Sequence, residues 1–362
     1  MKIIIAGGGT GGHIFPALAI ANALKNRLPA IEILFVGAKG KMEMEKIPEA
    51  GYEIVGIDIA GYNRSSLIKN IALPVKLIKS FFQVRKILNS FKPDAVIGVG
   101  GYSTFPVLRS AQNSNIPTFI HEANSFPGKS NLMLGKRAAK IFASVEGMEK
   151  YFPSEKLIVT GNPVRNVFSE KLSKKEALAF FGLKTDCKTV FVMGGSLGAK
   201  SINETIEANI DFFKKNNLQL IWQTGKSYAA NAAKIEEERM NIWTNAFIDK
   251  IEYAYTAADV VIARSGAMTV AELCVVGKPA IFVPFPYAAE DHQTANAMTL
   301  VNKDAALIVR DSEVRINLIP MLLTLINNEE LMKELAINIS KLANTKADEI
   351  IADEILKKIK IR

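Results

Sequence analysis

Ile3-Ile4-Ile5-Ala6-Gly7-Gly8-Gly9-Thr10-Gly11-Gly12-His13 decides the reading of this chain. Four apolar residues run into a glycine-rich turn, and a helical stretch, Phe15–Arg27, follows. A strand, a glycine turn and a helix in that order bring bare backbone N–H groups to a helix N-terminus, where the dipole favours an anion. The unit recurs far down the chain. Val190-Phe191-Val192-Met193 runs into Gly194-Gly195-Ser196-Leu197-Gly198, ahead of a helical stretch from Lys200 to Lys215. Two such units predict two nucleotide-type domains facing each other across a cleft.

Working outward, short β-branched runs alternate with amphipathic stretches on both sides of the midpoint. Strands are expected at Lys2–Ala6, Ile31–Val36, Ala95–Val99, Thr118–His121 and Lys140–Ala143, then at Thr189–Met193, Gln219–Gln223, Val260–Ala263 and Ala280–Pro284. Val75–Asn89 and Met268–Val276 read as helices, and Ile350–Lys360 as a basic amphipathic helix. Such alternation indicates parallel sheets covered on both faces, hence an α/β chain of two doubly wound Rossmann-like domains. Asn162-Pro163 is the expected boundary, and ligands are expected at the carboxyl ends of the strands. With 362 residues, 49% of them apolar, the chain is long enough for two cores.

Charge separates the halves. Residues 1–165 carry 21 Lys and Arg against 11 Asp and Glu, whereas residues 166–362 carry 24 against 25. Between Ile59 and Pro93 lie Arg64, Lys69, Lys76, Lys79, Arg85, Lys86 and Lys92 with no acid, interleaved with Leu73, Leu77, Ile78, Phe81 and Phe82. Ala123–Val145 repeats the bias with Lys129, Lys136, Arg137 and Lys140. Cations around an apolar ridge suit an anionic membrane surface, at about 1 kcal/mol for each nearby Lys or Arg. A solvated helix face with its apolar side in the core explains the same residues equally well. Nucleic acid is not expected, because aliphatic rather than stacking side chains fill the gaps. No apolar run reaches membrane-spanning length, and Met1-Lys2 leads into a strand with no room for a signal peptide. Cys187 and Cys274 are too few for a disulfide framework, which points to a reducing, cytoplasmic setting.

The motifs narrow the chemistry. Gly7, Gly9 and Gly12 satisfy the spacing of a dinucleotide-binding turn, but the acid that should hold a ribose at the end of the second strand is missing from Phe35-Val36-Gly37. Gly198-Ala199-Lys200-Ser201 lacks the Gly-Lys pair of a nucleotide-triphosphate loop. Arg264-Ser265-Gly266 opens a helix whose first amides, near Ala267 to Thr269, can face a ligand, with Glu272 able to accept from two ribose hydroxyls or simply to offset the dipole. The three histidines, His13, His121 and His292, all sit in polar clusters. His13, at a helix N-terminus, suits a general base, though a hydrogen-bonding role fits it too. No metal-ligand spacing and no Asp-x-Asp motif occurs, so neither a metal nor another cofactor is expected.

Taken in order, Gly8-Gly9-Thr10-Gly11-Gly12-His13, Gly98-Val99-Gly100-Gly101-Tyr102, His121-Glu122-Ala123-Asn124, Gly161-Asn162-Pro163-Val164-Arg165, Gly194 to Ala199, Arg264 to Glu272 and Asp291-His292-Gln293 resemble the bacterial β-N-acetylglucosaminyltransferases that complete lipid II in peptidoglycan synthesis. The resemblance runs from Lys2 to about Ala306. It implies the two-domain GT-B fold, with an acceptor domain at 1–162 joined by 341–362 and a UDP-sugar domain at 163–340. It implies an inverting transfer of N-acetylglucosamine from its UDP donor to the 4-hydroxyl of the muramyl sugar of lipid I. Ser196 would contact the diphosphate, and Ile248 would meet uracil through its backbone. Ala267, Met268, Thr269, Val270 and Ala271 would line the phosphate and sugar, Glu272 would hold the ribose, and Gln293 would bind sugar hydroxyls. Thr10, Gly11, Gly12, Asn124 and Arg165 would complete the donor site, and the acceptor pyrophosphate would rest near Gly11 and Gly100-Gly101. His13 is the candidate base and Glu122 the second choice. The resemblance also implies a peripheral place on the cytoplasmic face of the inner membrane, beside proteins of cell-wall elongation and division. A UDP-N-acetylglucosamine 2-epimerase shares fold and donor and is the alternative, but it has no need of the basic apolar stretch. An NAD-dependent oxidoreductase would require the missing ribose acid.

Overall fold

Lys2–Ala6 forms the middle of a parallel sheet in the computed structural model, which describes residues 1–61, 73–164, 172–195, 198–237, 241–288 and 291–360. The chain packs as two units, Met1–Arg165 together with Asn344–Arg362, and Asn166–Ala343. The first holds β1 (Lys2–Ala6), β2 (Glu32–Ala38), β3 (Glu53–Ile57), β4 (Ala95–Gly98), β5 (Thr118–Glu122), β6 (Lys140–Ala143) and β7 (Leu157–Val159), in the order β3-β2-β1-β4-β5-β6-β7. The second holds β8 (Lys188–Met193), β9 (Leu218–Gln223), β10 (Ile242–Asn245), β11 (Val260–Ala263), β12 (Ala280–Phe282) and β13 (Leu307–Ile308), in the order β10-β9-β8-β11-β12-β13. All pairs are parallel. The strand order reverses between β1 and β4 in one sheet and between β8 and β11 in the other. Each glycine turn therefore leaves its sheet at a switch point, where sheets of this kind bind ligands.

The two-residue period of a strand explains the apolar runs. Ile3 and Ile5 pack with Ile14, Ile20 and Leu24 of the Gly11–Arg27 helix, whereas Ile4 and Ala6 face Val84, Leu88, Val107 and Leu108. In β8, Val190 and Val192 meet Ile202 and Ile206, while Phe191 and Met193 meet Tyr255 and Leu273. With helices on both faces, neither set can be polar.

Three sequence expectations need correction. The helix expected over Lys200–Lys215 is two helices, Lys200–Ala208 and Ile210–Lys215. Asn209 breaks it at φ −119°, ψ 25°, its side-chain amide donating to the Thr205 carbonyl at 2.8 Å. The strand expected to reach Pro284 ends at Phe282. The last helix starts earlier than expected, at Ala347, and Asp348 and Glu349 in its first turn cancel its basic character. Those acids complement the helix dipole. Arg27 binds Asp353 at 2.8 Å and Glu349 at 2.9 Å, and Ile351, Ala352, Ile355 and Leu356 complete the core beside β1. Asn344 fixes the start of this returning segment by donating to the Thr160 carbonyl. Ile355 is fully buried there, so Ile355→Ala is expected to cost about 2–5 kcal/mol of unfolding free energy, read from urea denaturation.

Candidate active site

Register sets the candidate site of the first unit. Ala6 pairs with Gly98, which places Gly7–Gly12 beside Val99–Gly101. A Cβ on Gly101 (φ +89°) would lie 2.3 Å from the Gly8 carbonyl oxygen, and one on Gly100 would lie 2.6 Å from the His13 ring. Bare backbone at both positions lets the two turns touch and lets the imidazole lie against the second. His13 Nδ1 is 3.0 Å from the Gly8 carbonyl oxygen. A carbonyl only accepts, so Nδ1 carries the proton and the lone pair of the neutral ring is on Nε2.

Sequence reasoning missed Glu43. Its side chain is buried under the first turn and accepts from the Gly9 amide at 2.7 Å and the Ala38 amide at 2.9 Å. An acid does follow β2, but it faces the loop rather than a ribose. Glu43 thus narrows the bare amides of the turn to its later part. Gly9 N–H is committed to a carboxylate, and the amides that can face an anion are those of Gly11 and Gly12, behind an N-cap Thr10 that makes no side-chain cap.

Two strands away, β5 ends on His121 and Glu122. Glu122 is 3% exposed and accepts from the Asn124 amide (3.0 Å), Asn124 Nδ2 (3.4 Å), the Gly128 amide (3.1 Å) and Asn131 Nδ2 (2.8 Å). Burial raises its pKa against the pull of these donors. Both oxygens are engaged in shaping the Asn124–Gly128 loop. His121 is wholly buried, and neither ring nitrogen completes a hydrogen bond. Burial holds its pKa down at about 4; the Gly161 backbone and Asn162 raise it, and nearby His13 lowers it further.

The second unit repeats this plan. Ala263 pairs with Met193, so Gly194-Gly195 and Arg264–Gly266 emerge side by side. A Cβ on Gly198 (φ +78°) would sit 2.2 Å from the Thr224 carbonyl oxygen. The Lys200–Ala208 and Ala267–Val276 helices then start behind Ala199 and Gly266, neither with a side-chain cap. Gln223, another residue missed in the sequence, donates to the Gly195 carbonyl at 3.2 Å and accepts from the Ile248 amide at 3.1 Å. It ties the glycine turn to the loop expected to read a base. The Ile248 N–H is thereby committed inside the protein, and the carbonyl is the backbone group it has left to offer. Met268 is buried and can serve a ligand only through its backbone; Ala267, Thr269, Val270 and Ala271 are half-buried along the same helix. Glu272 lies in the second turn of that helix, 5% exposed, and accepts from the Tyr255 hydroxyl at 3.2 Å. Dipole compensation in the first turn is therefore not its role. Gln293, in the His292–Val301 helix, accepts from the Phe285 amide at 3.0 Å, and its carbonyl accepts from Ser265 at 2.8 Å. Arg165 and Ser196 lie outside the described residues.

Among the described residues no His, Cys, Asp or Glu cluster forms a metal-ligand set, and no helix is long and apolar enough to cross a membrane. The Leu73–Phe91 helix buries Ser80, Val84 and Leu88 and leaves Val75, Ile78 and Phe82 well exposed. The exposed three are spaced along one stripe of a helix. Arg64 and Lys69 of the basic stretch lie outside the described residues.

Known proteins match the chain over its full length. The N-terminal domain of glycosyltransferase family 28 matches residues 3–143, and the C-terminal domain of that family matches residues 189–353. A Parabacteroides distasonis protein named UDP-N-acetylglucosamine–N-acetylmuramyl-(pentapeptide) pyrophosphoryl-undecaprenol N-acetylglucosamine transferase is 49% identical over 359 residues, spanning 98% of each chain. The crystal structure of Acinetobacter baumannii MurG superposes with a TM-score of 0.77 at 30% identity, over 98% of this chain and 99% of that one. A Neisseria meningitidis UDP-GlcNAc 2-epimerase bound to UDP-GlcNAc shares the fold alone, with a TM-score of 0.71 at 18% identity over 99% of this chain and 100% of that one.

The state of His121 has a measurable consequence. Its folded pKa of about 4 lies below the ordinary 6.5, so an acidified unfolded chain takes up a proton that the folded protein refuses. Stability contributed by the neutral ring is complete above pH 6.5 and is lost as pH falls toward 4, by roughly 3 kcal/mol. His121→Phe is expected to flatten that part of the stability profile, measured by urea denaturation at pH 7.5, 5.5 and 4.5.

Proposed function

The chain belongs to glycosyltransferase family 28, among the UDP-N-acetylglucosamine–N-acetylmuramyl-(pentapeptide) pyrophosphoryl-undecaprenol N-acetylglucosamine transferases, and on that premise we propose how its residues perform the transfer. N-acetylglucosamine passes from UDP to the 4-hydroxyl of the muramyl sugar of a lipid-linked acceptor. The hydroxyl attacks the anomeric carbon, UDP leaves from the opposite face, and configuration inverts from α to β. Positive charge develops on the sugar ring and negative charge on the departing diphosphate. The uncapped helix starts at Lys200 and Ala267, side by side, are fixed dipoles suited to that negative charge. Ser196 adds a hydroxyl there, Glu272 takes the ribose, Gln293 the sugar, and the Ile248 carbonyl the uracil N–H. Thr10, Gly11, Gly12, Asn124 and Arg165 are the contribution of the first unit.

His13 is the base. The observation that carries this is the Nδ1–H bond to Gly8, which puts the accepting lone pair on Nε2 before any substrate arrives. Glu122 spends both oxygens on the loop that holds Asn124, so its part is to position that loop. Release of UDP should require the lipid-linked acceptor and survive EDTA; acceptor-independent release would favour the epimerase reading. His13→Ala is expected to lower kcat about 10²–10⁴-fold with donor affinity little changed. Near-normal turnover in that variant removes His13 from the mechanism.

The acceptor is anchored in lipid, and the Val75, Ile78 and Phe82 stripe, flanked by Lys76, Arg85 and Lys86, supports peripheral contact with an anionic membrane surface. Ile78→Glu with Phe82→Glu should weaken co-sedimentation with phosphatidylglycerol vesicles about tenfold or more and leave the melting temperature in place. Unchanged vesicle binding would return the stripe to an ordinary surface.

A further inference from the structure

Arg264 immediately precedes the turn that opens the Ala267–Val276 helix, yet none of the ligand contacts assigned above uses it. The residue is 8% exposed. Nη1 lies 2.6 Å from Asp311 Oδ1 and 3.0 Å from each of the Val283 and Pro284 carbonyl oxygens, and Nη2 donates to Ser201 Oγ at 3.0 Å. Ser201 in turn donates to the same Asp311 oxygen at 2.5 Å. Ser201 is in the first turn of the Lys200–Ala208 helix. The triad thus spans the two helix starts that leave adjacent strands β8 and β11, and it also holds the chain leaving β12. The 5.5 Å approach of the guanidinium to the Phe285 ring fixes its plane.

We propose that Arg264, with Ser201 and Asp311, is a positioning residue that locks the two helix starts at the spacing at which both can hold the donor's diphosphate. The inference rests on the second unit being the UDP-binding one. A fork of fixed geometry is needed, because acceptors in several directions must be met at once while the charge is buried beside its carboxylate. A lysine keeps the charge and cannot span them. Loosening the lock weakens the grip on phosphate and leaves the nucleoside pocket near Ile248 as it was.

Two variants separate this from a general structural role: Arg264→Lys, and Ser201→Ala, which removes two bonds without stranding a charge. Binding of UDP and of uridine to each is measured by titration calorimetry and saturation-transfer NMR, alongside circular dichroism and steady-state kinetics. Expected is a fall in UDP affinity of about tenfold for Arg264→Lys and a smaller fall for Ser201→Ala, with uridine affinity unchanged. Donor KM rises and acceptor KM does not. If Arg264→Lys does not fold, the ratio in Ser201→Ala decides. Wild-type protein that binds UDP, with the UDP-to-uridine affinity ratio unchanged in the folded variants, overturns the inference alone. Wild-type protein that binds neither overturns the donor-domain reading as well.

Discussion

Close backbone approach at the two glycine turns is the constraint on which the rest depends. Gly101 against the Gly8 carbonyl, and Gly198 against the Thr224 carbonyl, leave no volume for a side chain. Because these contacts are made, the segments leaving neighbouring strands lie side by side. Phosphate recognition by bare amides needs that pairing, since one helix start offers only its first few N–H groups. The glycines therefore act less as flexible joints than as positions where the required spacing excludes every other residue.

The same plan serves different chemistry in the two units. In the first, Glu43 occupies the underside of the turn and satisfies Gly9 and Ala38, so a carboxylate stands where a dinucleotide phosphate would approach. That turn is better suited to holding an imidazole in one tautomer than to cradling a nucleotide. In the second, the elements beneath the turns are Gln223 and the Arg264 triad, in which the guanidinium balances the Asp311 carboxylate, so no unpaired acid opposes an anion there. The proposed division of labour between a base-bearing unit and a phosphate-holding unit matches which side chain supports each glycine turn.

How much of this was legible in the sequence depended on burial. Central strands such as β1, β4, β8 and β11 are covered on both faces and read as continuous apolar runs. The strands that pattern reading missed, β3, β7, β10 and β13, are the four sheet edges. Edge strands face solvent in part, and Glu53-Ile54-Val55-Gly56-Ile57 alternates accordingly, with Glu53 and Val55 exposed, so its periodicity is too dilute to separate from a loop. The site divided similarly. Glycine turns and the polar residues at strand ends announce themselves by local spacing. Glu43, Gln223 and Asp311 do not, because each acts on a segment distant in the chain; Glu43 lies 34 residues from the amide it caps and Asp311 is 47 from Arg264.

That distinction bears on what such a site tolerates. Residues that touch substrate are constrained by the substrate, whose geometry is fixed by its own covalent bonds. Supporting residues are constrained by one another, and a guanidinium shared by Ser201, Asp311 and two carbonyls can be replaced only if all four partners are satisfied again. Removing one member leaves buried polar atoms unpaired, at a cost of about 1–3 kcal/mol each, more for a charge. On the proposed reading, a donor site built from backbone amides owes the spacing of those amides to a buried charged network behind them. Placing the guanidinium beside its carboxylate below the turns lets the amides keep their direction.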